Sequence, residues 1–346
     1  MAGLKKLRDE RHVYRDHDFV ETVDGWLFGV VSDIHPPGRI LSYLKYVPGE
    51  GVWSRGGVAY RRVLTSYTTR ELAQVLDMVR RARPQYIYHD PMTGEDFTYV
   101  PAELVKKHYR CEEKLQQILR SPSTTLEGTC AKLVGKLSAR SGVETCFFGV
   151  SGSLLLGLHN PAADIDLVVY GGRNFRRVVD AAQHTQTAQH VSEMRKMLVR
   201  NFLKKYPLAV DDAERLAARC LTRGFFDGVP FSLHAVRLLE EITSGYGALR
   251  YSDAGIRRTT MRVVNASEGV FTPAVYRVED LGGVGVERLL CYDTTFAGLF
   301  MEGDLVEAVG KLEKVQDIAG GVDYYSLLVG SVKTAGVEYV RLLKTA

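Results

Sequence analysis

Short runs in which hydrophobic and polar residues alternate, separated by Gly and Pro, dominate both ends of this chain. Between Phe19 and Thr65 the runs WLFGVVSDI, RILSYLKYV and VAYRRVLTSY are separated by Pro36-Pro37-Gly38 and by a Gly-rich loop from Pro48 to Gly57. From about Gly247 onward, six more short runs alternate in the same way. The pattern predicts a small N-terminal meander and a C-terminal barrel or sandwich of strands.

Helical spacing of the apolar residues covers much of the chain between these ends. It predicts a helix that begins near Thr69 and ends before Pro84, where apolar residues recur at i, i+3, i+4 and i+7. The same spacing predicts helices at about 101–120, 123–140, 174–206 and 211–221. Ser121-Pro122-Ser123 ends one predicted helix and begins the next, so we place a domain boundary there.

One segment, residues 146–170, combines a strand, a turn, a helix start and two acidic residues. Cys146 to Val150 is apolar and short enough for a buried strand. Ser151-Gly152-Ser153 then forms a flexible turn into a helix, and the backbone N–H groups of such a turn can bind an anion. Asp164-Ile165-Asp166 opens the next apolar run, and the strand period of two puts both carboxylates on one face. This order of strand, Gly-Ser turn, helix start and Asp-x-Asp pair predicts a divalent-metal site beside a phosphate-binding turn.

This arrangement resembles the nucleotidyltransferase superfamily typified by DNA polymerase β, and more closely its stand-alone archaeal members. The resemblance implies that Gly152 and Ser153 bind the triphosphate of an NTP. It implies that Asp164 and Asp166 are catalytic and hold Mg²⁺ or Mn²⁺. The reaction that follows is transfer of an NMP from the NTP to an acceptor hydroxyl, with RNA, a protein or a small molecule as the acceptor.

The third carboxylate of this family usually comes from a later, neighbouring strand. Here Asp227-Gly228 has the pattern of a hairpin turn, and the alternating run Val229 to Val236 follows it. Counting from the turn puts Ser232 at the third position and His234 on the same face. His234 is therefore our third catalytic candidate, as a neutral base or an imidazole ligand. Asp227 remains an alternative third ligand, and a non-catalytic nucleotide- or RNA-binding protein remains an alternative function.

The predicted helical region 174–206 carries an apolar stripe and a basic one. The apolar stripe consists of Val191, Met194, Leu198 and Phe202, and the basic stripe consists of Lys196, Arg200 and Lys204. Cations at this spacing can follow a phosphate backbone, and they can equally form a solvated helix face. The sequence leaves both interpretations open.

Composition and charge narrow the class of protein. The 346 residues have a formal net charge of +4, which permits a nucleic-acid partner without requiring one. The five cysteines are scattered and never spaced C-x-x-C, so neither a zinc site nor a disulfide framework is predicted. The sequence has no apolar run of membrane-spanning length, and we expect a cytoplasmic protein. The basic N-terminal arm, with Lys5, Lys6, Arg8, Arg11 and Arg15, is predicted to be a solvated tail.

These patterns together predict an α+β protein of three parts. We expect an N-terminal α+β region over residues 1–121 and a small barrel-like β domain over residues 243–346. The resemblance implies that residues 122–242 between them form a nucleotidyltransferase core, a mixed sheet with helices.

Overall fold

The computed structural model describes residues 7–10, 13–158, 163–318 and 320–345. Helices account for 31% and strands for 37%, which confirms the predicted α+β class. The chain forms two compact units, each built from three segments. The first unit comprises Met1–Thr65, Thr98–Val191 and Thr222–Thr243, and the second comprises Ser66–Phe97, Ser192–Leu221 and Ser244–Ala346.

The first unit contains the predicted N-terminal strands. They are β1 (Phe19–Thr22), β2 (Leu27–Val30), β3 (Arg39–Arg55) and β4 (Val58–Arg62). After β5 (Ile87–Asp90) in the second unit come β6 (Glu95–Pro101) and β7 (Val105–Tyr109). The part of β6 from Thr98 onward belongs to the first unit, where the strand order is β6-β3-β2-β1-β7, with β4 paired to β3.

Two sequence predictions fail in this region. The predicted loop from Pro48 to Gly57 is wrong: β3 runs to Arg55 with an irregularity after Pro48, and the turn is confined to Gly56-Gly57. Gly51 lies so close to the backbone of Tyr60 that no side chain would fit, which explains a glycine inside a strand. The predicted helix over 101–120 begins only at Cys111, because residues 105–109 pair with β1 as β7.

A second sheet in the first unit carries the segment of interest. Its strands are β8 (Phe148–Val150), β9 (Ile165–Tyr170), β10 (Arg223–Phe226) and β11 (Val229–Val236), in the order β10-β11-β9-β8. β9 and β11 are parallel, and the other pairs are antiparallel. The helices of this unit are α2 (Cys111–Arg120), α3 (Thr125–Ser141), α4 (Gly152–Leu156) and α5 (Gly172–Gln183).

Buried side chains join the two sheets of the first unit. One core cluster contains Phe19 and Tyr46 from the N-terminal sheet together with Leu155, Val168 and Val236 from the second sheet and α4. The N-terminal strands therefore share a core with the predicted nucleotidyltransferase region, and burial of this apolar surface stabilises both.

The predicted solvated N-terminal tail is wrong for the part that the structure describes. Arg15 is fully buried and its Nε lies 2.8 Å from Asp33 Oδ1. Arg8 is mostly buried and pairs with Asp18 and Glu112. A charge leaves water only where partners replace its hydration, and these carboxylates lie 10, 18 and 104 residues along the chain from the arginines that they pair with. Lys5, Lys6 and Arg11 lie outside the described residues.

The second unit contains α1 (Thr69–Ala82), most of α6 (Ala188–Lys205), α7 (Val210–Arg219) and the C-terminal strands. Those strands are β12 (Leu249–Asn265), β13 (Ala274–Asp280), β14 (Val286–Cys291), β15 (Leu305–Asp317), β16 (Tyr324–Val329) and β17 (Tyr339–Lys344). β12, β13, β14, β16 and β15 pair in a closed ring, with β17 beside β15.

Two details of the predicted helical region 174–206 differ from the structure. Thr185 and Gln186 lie between α5 and α6, so the region is two helices. Val191 is 46% exposed and does not belong to the apolar stripe, whereas Met194, Leu198 and Phe202 are buried. The basic stripe of Lys196, Arg200 and Lys204 is exposed. Across the described residues, every helix is too short or too polar to cross a membrane.

Candidate functional site

The Gly-Ser turn lies between β8 and α4 and touches the second acidic residue. Ser151 precedes the helix, and its backbone N–H donates to the carbonyl of Asp166 at 2.8 Å. Gly152 has φ 63°, a left-handed conformation that favours glycine. A Cβ at this position would collide with the Asp166 carboxylate. The backbone of the turn therefore lies directly against Asp166, with Ser153 buried beside it in α4.

The two aspartates lie at the start of β9 with the predicted alternation. Ile165 is buried on the opposite face, Asp164 is exposed and Asp166 is partly buried. Repulsion by Asp166, followed by desolvation, raises the pKa of Asp164 above its ordinary value. Burial alone would also raise the pKa of Asp166, but the polar interaction with nearby His234 and the charge of Lys45 outweigh burial and hold that pKa well below its usual range.

Ser232 lies next to Asp166 in the position where sequence counting put the third ligand. Parallel pairing of β9 and β11 sets Ser232 opposite Asp166. The Ser232 hydroxyl donates to Asp166 Oδ1 at 2.6 Å and lies 2.8 Å from His234 Nε2. His234 Nε2 is itself 3.7 Å from Asp166 Oδ1. The structure thus brings Asp166, Ser232 and His234 into one hydrogen-bonded group.

Proton counting fixes the tautomer of His234. Ser232 has a single hydroxyl proton and gives it to Asp166, so His234 Nε2 must carry a proton and donate it to Ser232 Oγ. Burial, and then the neighbouring His17, lower the pKa of His234 to about 4. The imidazole is therefore neutral near pH 7, with its unprotonated nitrogen at Nδ1.

Asp227 occupies the hairpin turn that the sequence predicted. Asp227 and Gly228 have φ 48° and 77° and connect β10 to β11. Within residues 7–10, 13–158, 163–318 and 320–345, no three His, Cys, Asp or Glu side chains group closely enough to hold a metal ion. Asp227 therefore does not form a three-carboxylate set with Asp164 and Asp166.

Sequence reasoning missed three residues near the aspartates. Lys45 is buried on β3, and its ammonium group lies 5.4 Å from the Phe19 ring centroid. Its charge helps to lower the pKa of Asp166 and partly opposes the rise in the pKa of Asp164. Arg223 on β10 pairs in register with Ser232, and its charge also opposes the rise in the pKa of Asp164. The His17 ring lies 4.4 Å from that of His234. A lysine inside the apolar run from Leu44 to Val47 was the one signal available for Lys45.

Comparison with known proteins places this site inside a recognised domain. Residues 130–237 match the family model described as a nucleotidyltransferase domain, so the resemblance predicted from the sequence is confirmed for this segment. The chain is also 29% identical over 337 residues to an uncharacterized protein of Methanocaldococcus jannaschii, with 95% of this chain and 98% of that protein covered. No solved structure matches this chain. His17 and Lys45 lie outside the matched segment.

Proposed function

We propose, from the premise that residues 130–237 are a nucleotidyltransferase domain, that this protein transfers an NMP from an NTP to an acceptor hydroxyl with the help of a divalent metal. The observation that carries the proposal is the contact between the Gly152 backbone and the Asp166 carboxylate. A phosphate bound by the N–H groups of this turn would lie beside the acidic pair. Such proximity is what phosphoryl-group transfer requires.

The donor set fits one hard divalent ion. Asp164 and Asp166 present carboxylate oxygens from one strand face, and the raised pKa of Asp164 reflects a repulsion that a cation would relieve. Mg²⁺, or Mn²⁺, commonly binds through one or two carboxylates together with substrate phosphates. When bound, such an ion neutralises phosphate charge and orients the reacting groups. Ser232 is neutral, so a second ion would lack a third carboxylate from the described residues.

The residues of the chain bind and orient the substrate in this proposal. Gly152 and Ser153 offer backbone N–H groups and a hydroxyl to the β- and γ-phosphates. Lys45 and Arg223 add positive charge near the aspartates and so favour the triphosphate over neutral molecules. Ser232 and His234 hold the Asp166 carboxylate in one orientation through the hydrogen bond at 2.6 Å. Catalysis by positioning of this kind needs little movement in the protein.

A non-catalytic nucleotide- or RNA-binding protein is the second candidate function. The neutral Ser232 at the third position favours it, because the described residues supply two carboxylates where polymerase-like transfer uses three. RNA as the acceptor or ligand is supported by the exposed basic stripe of Lys196, Arg200 and Lys204, since three cations on one helix face can contact phosphates.

Nucleotide binding and transfer are tested in two steps on the full chain. Equilibrium binding of each labelled NTP is measured with and without Mg²⁺ or Mn²⁺ for the wild type and for Asp164→Asn/Asp166→Asn. The double variant should lose metal-dependent binding and keep its melting temperature. The control variant Asp227→Asn, which replaces the acid in the hairpin turn, should bind nucleotide as the wild type does.

Transfer of the label to total RNA or total protein then separates the two functions. Transfer that requires both aspartates supports the enzyme. Binding without transfer to any acceptor supports the second candidate. Binding that is unchanged in the double variant would show that Asp164 and Asp166 bind neither the metal nor the nucleotide, and would refute their assignment in either function.

A further inference from the structure

His17 adopts a backbone conformation that few residues other than glycine take. Its φ is 67°, and Ser32 in the adjacent loop has φ 74°. Asp16 joins the two residues: one carboxylate oxygen, Oδ1, accepts the backbone N–H of His17 at 3.1 Å and that of Ser32 at 3.2 Å. The His17 N–H also donates to the carbonyl of Val30 at 3.2 Å. The unfavourable conformation is thus held by hydrogen bonds on both sides.

The backbone of His17 is fixed to the Gly-Ser turn. Its carbonyl accepts a hydrogen bond from the Ser151 hydroxyl at 2.6 Å and another from the Cys111 thiol at 3.2 Å. Ser151 immediately precedes Gly152, so the carbonyl of His17 orients the first residue of the proposed phosphate-binding turn.

The ring of His17 is packed against the other side of the same site. Its centroid lies 4.4 Å from that of His234, with 39° between the ring planes. His17 Nε2 is buried, lies 3.5 Å from Asp16 Oδ2, and forms no hydrogen bond within the described part of the chain. The imidazole is therefore held in place by ring packing rather than by a hydrogen bond at Nε2.

Buried ion pairs anchor the segment that carries His17. The Arg8 guanidinium pairs with Asp18 at 2.7 Å, and His108 Nε2 lies 2.8 Å from the same carboxylate. Arg15 pairs with Asp33 and donates to the backbone carbonyl of Arg237, three residues after His234. The Asp18–His108 and Arg15–Arg237 contacts are distant in sequence, and they tie the residues on either side of His17 to β7 and to the segment that follows β11.

We propose that His17 is a positioning residue of the nucleotidyltransferase site: its ring holds His234 in the orientation that donates to Ser232 and so orients Asp166, while its carbonyl holds Ser151. The proposal rests on the proposed function for its catalytic consequence, but its structural part is independent of it. It extends the site beyond residues 130–237 into the N-terminal region. Ser232, which stands where the family usually has a third carboxylate, is thereby held in place through His234 by a residue from a separate segment of the chain.

Two substitutions remove the ring of His17 and remain compatible with the left-handed backbone conformation at this position. Glycine and asparagine both tolerate a left-handed φ, so His17→Gly and His17→Asn should fold. Ser32→Gly is the matched control, because it changes the neighbouring left-handed residue without removing a contact to His234. His17→Phe restores a ring of similar shape and should recover part of any loss.

The first readout is the protonation site of His234, observed by ¹⁵N NMR of the imidazole. We expect the Nε2–H form in the wild type and in Ser32→Gly, and a mixture of the two tautomers in His17→Gly and His17→Asn. A folded His17→Gly with the wild-type tautomer and an unchanged melting temperature would overturn the proposal, whether or not the protein is an enzyme.

The second readout is the rate of NMP transfer. In His17→Gly, kcat should fall by about 10- to 100-fold with the KM for NTP changed much less, the behaviour of a misplaced reacting group. Equal losses in Ser32→Gly would mean that His17 acts only through loop stability, which contradicts the proposal. If the wild type transfers nothing, the proposed function fails and the NMR result alone decides the role of His17.

Discussion

Replacing Gly152 by alanine tests the contact on which the proposed site depends. The φ of 63° costs a residue with a Cβ about 1–2 kcal/mol of folding free energy. The new Cβ would also collide with the Asp166 carboxylate, and relieving such overpacking costs about 1–3 kcal/mol more. We therefore expect Gly152→Ala to lower the free energy of unfolding by about 2–5 kcal/mol. Asp166 or the turn must move in the folded variant.

Gly157 provides a matched control five residues away. It ends α4 with φ 66°, but a Cβ there would meet only the Arg55 side chain at 4.0 Å. Gly157→Ala should therefore carry the backbone cost without the collision, and should lose about 1–2 kcal/mol. The difference between the two variants isolates the effect of pushing the turn away from Asp166.

Chemical denaturation gives the two stabilities, and calorimetric titration with an NTP and Mg²⁺ gives the affinities. Gly157→Ala should bind the nucleotide as the wild type does, whereas Gly152→Ala should bind at least about tenfold more weakly, a loss of about 1.4 kcal/mol. Equal affinity in Gly152→Ala and the wild type would refute the phosphate-binding role of the turn. Equal stability losses in the two alanine variants would refute the collision with Asp166.

Two further predictions concern single side chains. Burial opposes ionisation of Glu127, but hydrogen bonds from Lys114 and Ser123 outweigh burial and lower the pKa of Glu127 from its ordinary 4.5 to about 2. The ionised side chain therefore adds to the free energy of unfolding above pH 4.5, and this contribution is lost as the pH falls toward 2. Glu127→Gln should remove this acid-dependent loss, on the order of 3 kcal/mol, from a series of denaturation curves between pH 7 and pH 2, and an unchanged slope would contradict it. Ser232→Asp should make the melting temperature rise with Mg²⁺ more than it does in the wild type, and should raise a weak transfer rate, because a third carboxylate would join Asp166. If the variant folds and shows neither change, Ser232 does not occupy the position of the third ligand.

The sequence predicted the parts of the site that depend on local order. The strand, the Gly152 turn and the Asp-x-Asp pair follow one another within residues 146–170, and the hairpin at Asp227 gives the register of β11. Alternation and turn chemistry act over a few residues, so they can be read without knowing the fold. The location of Ser232 beside Asp166 followed from such counting together with the resemblance to the nucleotidyltransferase superfamily.

Residues that reach the site from distant segments could not be found in this way. His17 lies 134 residues before its partner Ser151, and the burial of Lys45 depends on a sheet formed with other strands. The predicted helix over 101–120 failed for the same reason, since β7 exists because β1 pairs with it. Arg15 had the composition of a solvated tail, and only the presence of Asp33 shows why it is buried. Tertiary pairing overrides local preference at all of these positions.

The order of the chain segments has a consequence for synthesis on the ribosome. The polypeptide passes between the two units after Thr65, Phe97, Val191, Leu221 and Thr243, so neither unit is encoded by a continuous stretch. Many proteins fold one domain at a time as the nascent chain emerges. Here β9 cannot pair with its parallel partner β11 until β11 has been synthesised. The first unit is complete only after Thr243 has left the exit tunnel. The acidic pair is therefore made long before the strand that orients it, and the proposed nucleotide site is completed late in translation.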